Sequence, residues 1–232
     1  MASKWTKTPW LFTLLTLLFL IGLGIALLNI EKGTLHLSLN AYHAPLLDWV
    51  MRIYTRFADY GIYIAVLILL IFYKAGWASL LALNAAAATI VVQVLKRIIN
   101  APRPLLWFSD NLPDVQLQLV EGFPMAYHLS CPSGHTITFF TLCLTLSWVC
   151  ACEAKTPLRS YMPQVILFLL AVLGAYSRIY LSMHFAFDIW CGAALALIVC
   201  YVCSIPFVRK MHEKPFWNRN LRQKMTKNAR KH

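Results

Sequence analysis

The sequence predicts an all-α membrane protein with a bundle of six transmembrane helices. Its 232 residues are 59% hydrophobic and only 13% charged, with a mean hydropathy of +0.62, whereas about a quarter of the residues of a soluble domain are charged. Apolar stretches of membrane-span length recur along the chain. No linker or internal repeat divides it. We therefore expect one integral membrane domain over residues 1–208 and a basic cytoplasmic tail over residues 209–232.

Residues 10–30 form the first predicted span, because about 20 apolar residues cross ~30 Å of hydrocarbon. No small-residue cleavage site follows, which favours a retained span over a signal peptide. The remaining predicted spans cover residues 60–73, 77–95, 136–152, 163–176 and 185–208. Two of them are short for a full crossing, so we expect them to extend into neighbouring residues.

Residues 44–59, between the first two spans, carry apolar side chains at helical spacing, interrupted by Asp48, Arg52 and Arg56. This pattern predicts a short amphipathic helix lying in the membrane interface.

Basic residues in the short loops predict the orientation of the chain. With six spans, Lys4, Lys7, Lys74, Lys155 and the tail fall on one side, which is the cytoplasm. Nine of the 21 Lys and Arg residues lie in the tail, so the net charge of +12 favours anionic lipid over nucleic acid as its partner. We therefore expect both termini in the cytoplasm.

Three motifs carry ionisable residues to the opposite, extracytoplasmic side. Such residues are costly within a membrane, so their convergence at one depth predicts a polar pocket, and a pocket rich in cations predicts an anionic ligand. The motif residues are Lys96 and Arg103 in "KRIINAPRP", Ser133, Gly134 and His135 in "CPSGHT", and Arg178, His184 and Asp188 in "YSRIYLSMHFAFDIW".

Phosphate fits this set of residues. The guanidinium groups of Arg103 and Arg178 can each bind two phosphate oxygens, and Lys96 supplies a further charge. Ser133 offers a hydroxyl donor, and the backbone N–H groups around Gly134 form an anion site at a helix start. Together these groups would stabilise the charge of a phosphoryl transition state.

The two histidines suggest nucleophilic catalysis. His184 and Asp188 are four residues apart, so on a helix they would share one face, and the carboxylate could orient the imidazole. His135, which comes from a different span, would protonate the departing oxygen. The seven cysteines indicate neither a disulfide framework nor a zinc site, and we expect no metal and no cofactor.

The motifs resemble those of the type 2 phosphatidic acid phosphatase (PAP2) superfamily: K-x6-R-P, P-S-G-H and S-R-x5-H-x3-D. The resemblance implies a six-span fold and a metal-independent phosphohydrolase that forms a phosphohistidine on His184. It also implies that Asp188 orients this histidine, that His135 acts as acid and then as base, and that the other five motif residues bind phosphate. The soluble vanadium haloperoxidases of the family have large soluble bodies that this chain lacks.

The expected substrate is a lipid phosphate or pyrophosphate, whose head group lies at the membrane surface. Resemblance to small bacterial members implies a protein of the bacterial inner membrane. It favours lipid A or undecaprenyl pyrophosphate as substrate, with phosphatidylglycerophosphate and phosphatidic acid as alternatives. A phosphotransferase would use the same intermediate, and a lipid-phosphate carrier would share the pocket but would not need the histidines. The sequence leaves the oligomeric state open.

Overall fold

The computed structural model describes residues 8–213. Within this range the chain is helical, without β-strands, which confirms the all-α prediction. The helices are α1 (Trp10–Asn29), α2 (Lys32–Asn40), α3 (Pro45–Thr55), α4 (Tyr60–Tyr73), α5 (Ala75–Ile99), α6 (Pro104–Asn111), α7 (Gly134–Glu153), α8 (Pro157–Tyr180) and α9 (Ala186–Glu213).

Five helices, α1, α5, α7, α8 and α9, are long and apolar enough to cross a membrane. The predicted second span, residues 60–73, is broken: α4 has only 14 residues, but α3 and α4 together meet the same criteria across a bend of 52°. The bend lies at Asp59, whose backbone is extended after a 3-10 turn over Arg56–Ala58. Counted as one span, this bent pair gives the six predicted spans. The predicted amphipathic segment is helical, as α3, and its place in the membrane interface remains a prediction.

The central helix is α7, which packs against α5, α8 and α9. Its most apolar stretch is 67% buried, whereas that of α1 is 11% buried. A helix that is apolar on all sides is typical of a bundle centre, and α1 lies at the periphery.

The predicted fifth span, residues 163–176, is longer in the structure. Helix α8 starts at Pro157, where Thr156 Oγ1 accepts a hydrogen bond from Arg159 N at 3.4 Å, and it continues to Tyr180. The N–H of the first helical residue has no partner within the helix. Proline, which has no N–H, can therefore start a helix without losing a hydrogen bond. The expectation that short spans extend is therefore confirmed for α8.

The sequence did not predict α2, whose composition gives only a weak helical pattern. Its buried residues are Gly33, Leu35, His36 and Asn40, and two of these are polar. Tertiary contacts therefore stabilise this helix more than its own hydrophobic pattern does.

One end of the bundle is fixed by Glu153 at the end of α7. Its Oε1 accepts hydrogen bonds from Lys74 Nζ at 2.6 Å and from Trp77 Nε1 at 2.9 Å. Lys74 belongs to the predicted cytoplasmic side, whereas Lys4, Lys7 and the tail beyond Glu213 lie outside the described residues. The orientation and the domain limits therefore remain predictions.

Asn84 links three helices inside the bundle, and its loss should be measurable. Its Nδ2 donates to Thr145 Oγ1 at 2.9 Å and to Ser204 Oγ at 3.1 Å. Because both hydroxyls would lose this donor, we expect Asn84→Ala to lower the free energy of unfolding by about 1–2 kcal/mol. Unfolding in mixed detergent micelles measures this. Asn29→Ala, at an exposed helix end, is the control, and an equal effect of both variants would contradict the prediction.

Candidate active site

A cavity of about 490 Å³ opens at the opposite end of the bundle from Glu153. It brings together motif residues from the ends of α5 and α8, the starts of α6 and α7, and the turn before α9. Six of the eight predicted site residues line it: Lys96, Arg103, Gly134, His135, Arg178 and His184. Ser133 and Asp188 lie behind them and are buried.

The connection between α5 and α6 positions Lys96 and Arg103. Helix α5 ends at Asn100, which adopts a left-handed conformation with φ of 44°. Arg103 precedes α6 and contacts the long loop between α6 and α7. Arg103 Nε donates to His128 O at 2.8 Å, and the backbone N of Arg103 donates to Tyr127 O at 2.8 Å. Arg103 Nη1 also donates to Met183 O at 3.3 Å, so the loop that follows α6 and the turn before α9 together fix the direction of the Arg103 side chain.

Arg178 lies in the last turn of α8 and is only 3% exposed. Its Nη1 donates to Thr55 Oγ1 at 2.6 Å, and its Nε has no hydrogen-bond partner among the described residues. A buried guanidinium with an unused donor beside Lys96 and Arg103 favours an anion in the cavity.

The start of α7 brings backbone N–H groups to the site. Ser133 Oγ caps the helix by accepting from Thr136 N at 3.3 Å and Thr136 Oγ1 at 2.9 Å. A Cβ on Gly134 would lie 3.7 Å from Lys96 Nζ, and a Cβ on Gly192 would lie 2.9 Å from Ser133 O. The missing side chain of Gly192 thus allows α9 to approach this helix start. Ser133 acts as an N-cap here, and its binding to phosphate remains a prediction.

His184 is placed by a turn and not by a helix, contrary to the predicted shared helix face. It precedes the first residue of α9, Ala186, whereas Asp188 lies in the first turn of that helix. Their side chains still meet, with 3.5 Å between His184 Nδ1 and Asp188 Oδ2. This is longer than an ordinary hydrogen bond.

Asp188 Oδ2 has two closer partners, which sequence reasoning missed. It accepts from Ser130 Oγ at 2.5 Å and from Phe185 N at 2.9 Å. Ser133 N also donates to the backbone O of Asp188 at 3.0 Å. These bonds hold the carboxylate against the segment that carries the second motif. Ser130 lies three residues before Ser133, but the motif spacing gives no sign of its contact.

The environment of His184 keeps its imidazole neutral. Burial lowers the pKa of His184 well below the usual range of histidine, and Arg178 and Arg103 lower it further, while Asp188 acts in the opposite direction. A neutral imidazole has a free nitrogen lone pair, as a nucleophile requires.

His135 lines the same cavity as His184 and has an acidic neighbour. The distance from His135 Nε2 to Asp59 Oδ1 is 3.8 Å, and Asp59 also lines the cavity. This contact was not predicted, because Asp59 lies at the bend between α3 and α4, far from the motifs in sequence. In residues 8–213, no three His, Cys, Asp or Glu side chains group as metal ligands, and metal independence remains a prediction.

Comparison with known proteins agrees with this geometry. The PAP2 superfamily matches residues 77–211, and no curated protein sequence gives a significant match. The structure is similar to the crystal structure of Aquifex aeolicus LpxE, with a TM-score of 0.62, 28% identity, and coverage of 73% of this chain and 92% of that one.

It is also similar in fold to the first transmembrane PAP2 type phosphatidylglycerolphosphate phosphatase from Bacillus subtilis. The TM-score is 0.60 and the identity is 22%, with coverage of 87% of this chain and 96% of that one. Since the family match spans more than half of the chain, this protein is a membrane protein that belongs to the PAP2 superfamily of phosphatases.

Proposed function

We propose that the protein hydrolyses a lipid phosphate or pyrophosphate through a phosphohistidine on His184. One observation carries this proposal: three cationic side chains and two histidines from five places in the fold line one cavity. A structural role alone would not require so many ionisable groups at the end of an apolar bundle. The three cations would hold the phosphate oxygens and neutralise their charge.

In the first step, His184 Nε2 attacks phosphorus and the bond to the lipid oxygen breaks. His135 begins this step as the imidazolium and donates its proton to that leaving oxygen, and Asp188 orients the His184 ring through Nδ1. In the second step, His135 takes a proton from water, whose oxygen attacks phosphorus. The P–N bond breaks, orthophosphate leaves, and both histidines return to their starting state.

The shape of the cavity supports a lipid as substrate. From the cationic end it continues between α4 and α5, where its lining is mainly apolar and includes Ile64, Leu67, Leu81, Ala85 and Ala88. An acyl or isoprenoid chain can lie in this groove while the phosphate meets the cations. The groove does not distinguish lipid A from undecaprenyl pyrophosphate, and these two remain the preferred candidates.

The proposed orientation of the chain gives the side of the membrane on which the site lies. The cavity lies at the end of the bundle opposite Lys74 and Glu153. If the Lys74 side is cytoplasmic, as its basic loops predict, the site faces the periplasm. The protein would then lie in the inner membrane and act on lipids of the outer leaflet.

The test is orthophosphate release by the purified protein in EDTA from lipid A, undecaprenyl pyrophosphate, phosphatidylglycerophosphate and phosphatidic acid. Release in the presence of the chelator supports metal-independent hydrolysis and ranks the substrates. Transfer of labelled phosphate to a second lipid would instead identify a phosphotransferase. Lipid binding without turnover would contradict the proposal and favour a carrier.

The groove gives a prediction about tail length. Tryptophan at position 85 would fill part of the groove, so we expect Ala85→Trp to lower kcat/KM for long-chain lipid phosphates about tenfold or more. Hydrolysis of a phosphatidic acid with four-carbon chains should change less than twofold. Ala86→Trp is the matched control, because Ala86 is exposed and outside the cavity lining. Equal losses on both substrates would show that the groove does not hold the tail.

A further inference from the structure

The turn that carries His184 adopts a conformation that its own sequence does not favour. Ser182 has a φ of 48°, in the left-handed region that residues other than glycine rarely occupy. The backbone of the turn folds back on α8, because Ser182 N donates to Ile179 O at 2.9 Å and Met183 N donates to Arg178 O at 2.9 Å. The position of His184 therefore depends on keeping this turn closed.

Asn40, the last residue of α2, contacts the end of α8 directly before the turn. Its Nδ2 donates to Tyr180 O at 2.8 Å and to Ile179 O at 3.3 Å. The last carbonyls of a helix have no partner within the helix, so this side chain caps α8 from outside. Asn40 is 2% exposed, which leaves water little access to replace it.

His36, one helical turn earlier in α2, contacts the strained residue itself. Its Nε2 lies 3.3 Å from Ser182 Oγ. The ring packs between Phe108 and Phe185, with centroid distances of 5.7 and 5.2 Å. Burial lowers the pKa of His36 to about 4, although Asp188 opposes this effect. The imidazole is therefore neutral and held in place.

We infer that α2 positions the nucleophile: Asn40 and His36 hold the turn over residues 181–185 so that His184 faces the bound phosphate. Neither residue lines the cavity, so they are positioning residues that act through the backbone of the turn. The inference rests on the proposed function of His184. It assigns a role to a helix outside residues 77–211, the part of the chain that matches the family.

The predicted effect is on the chemical step and not on phosphate binding. Displacement of a reacting group by about 1 Å can lower a rate about 100-fold. Lys96 does not belong to the turn. Arg103 contacts it through Nη1, which donates to Met183 O at 3.3 Å, but its Nε stays bonded to His128 O at 2.8 Å outside the turn. We therefore expect His36→Phe and Asn40→Leu to lower kcat about 10- to 100-fold. The inhibition constant of inorganic phosphate should change less than about threefold. Phenylalanine keeps an aromatic ring, of slightly larger size, between Phe108 and Phe185 and removes the two ring nitrogens that can form hydrogen bonds.

The measurements are steady-state kinetics, phosphate inhibition and the rate of phosphoenzyme formation in rapid-quench experiments. Ser38→Ala is the control on the same helix, because Ser38 is exposed and donates only to Thr34 O within α2. A further pair of variants tests the strained backbone of the turn directly. Ser182→Gly can adopt a positive φ without strain, whereas Ser182→Ala cannot, so the glycine variant should retain several times more kcat.

Different results contradict different claims. If the wild type releases no phosphate from any lipid, the proposed function and this inference both fail. If it does, but His36→Phe and both Ser182 variants form phosphoenzyme at the wild-type rate, only the inference fails. The inference would also be overturned if kcat and the affinity for inorganic phosphate fell by the same factor, because that pattern indicates general damage to the site. Should Asn40→Leu not fold, the His36 and Ser182 variants decide the question.

Discussion

Replacing His184 by alanine is expected to abolish orthophosphate release, with a loss of at least about 1,000-fold in kcat. The imidazole is the attacking group in the proposed mechanism, and alanine has no atom that could accept the phosphoryl group in its place. Lys96, Arg103 and Arg178 remain in this variant, so inorganic phosphate or substrate should still bind with an affinity within several-fold of the wild type.

The measurement for His184 combines release of labelled phosphate with detection of an acid-labile, base-stable phosphoenzyme. The wild type should show this intermediate, and His184→Ala should not. His128→Ala is a matched control, since the imidazole of His128 is exposed and only its backbone oxygen contacts Arg103. Substantial release by His184→Ala would contradict the assignment of the nucleophile.

Arg178→Lys is expected to lower kcat/KM about 100- to 1,000-fold, although it conserves the charge. The Arg178 guanidinium is nearly fully buried, donates to Thr55 Oγ1 and has a further donor without a partner. A lysine ammonium cannot keep the contact with Thr55 and also bind two phosphate oxygens in a plane. Most of the loss should therefore come from weaker stabilisation of the transition state.

The Arg178 prediction is measured by steady-state kinetics on a lipid phosphate, together with the inhibition constant of inorganic phosphate. Arg97→Lys is the control, because Arg97 is exposed in the same helical turn as Lys96 and does not line the cavity. The control should change kcat/KM less than twofold. Near-normal turnover of Arg178→Lys would remove bidentate phosphate binding from the mechanism.

The sequence by itself determined the spans and the members of the candidate site. Long apolar stretches report membrane spans because the thickness of the hydrocarbon region fixes the number of residues needed. The motifs could be assigned to one end of the bundle because alternate spans run in opposite directions. The sequence thus brought Lys96, His135 and Arg178 together without any structure, and the cavity contains all three.

Only the tertiary structure decided how the nucleophile is held. A spacing of four residues suggested that His184 and Asp188 share a helix, but the helix starts between them at Ala186. The partners that fix the turn and the carboxylate, Asn40 and Ser130, are distant in sequence from the groups they bind. Periodicity records which face of a helix is buried. It cannot record which buried polar groups meet, because that depends on how separate helices pack.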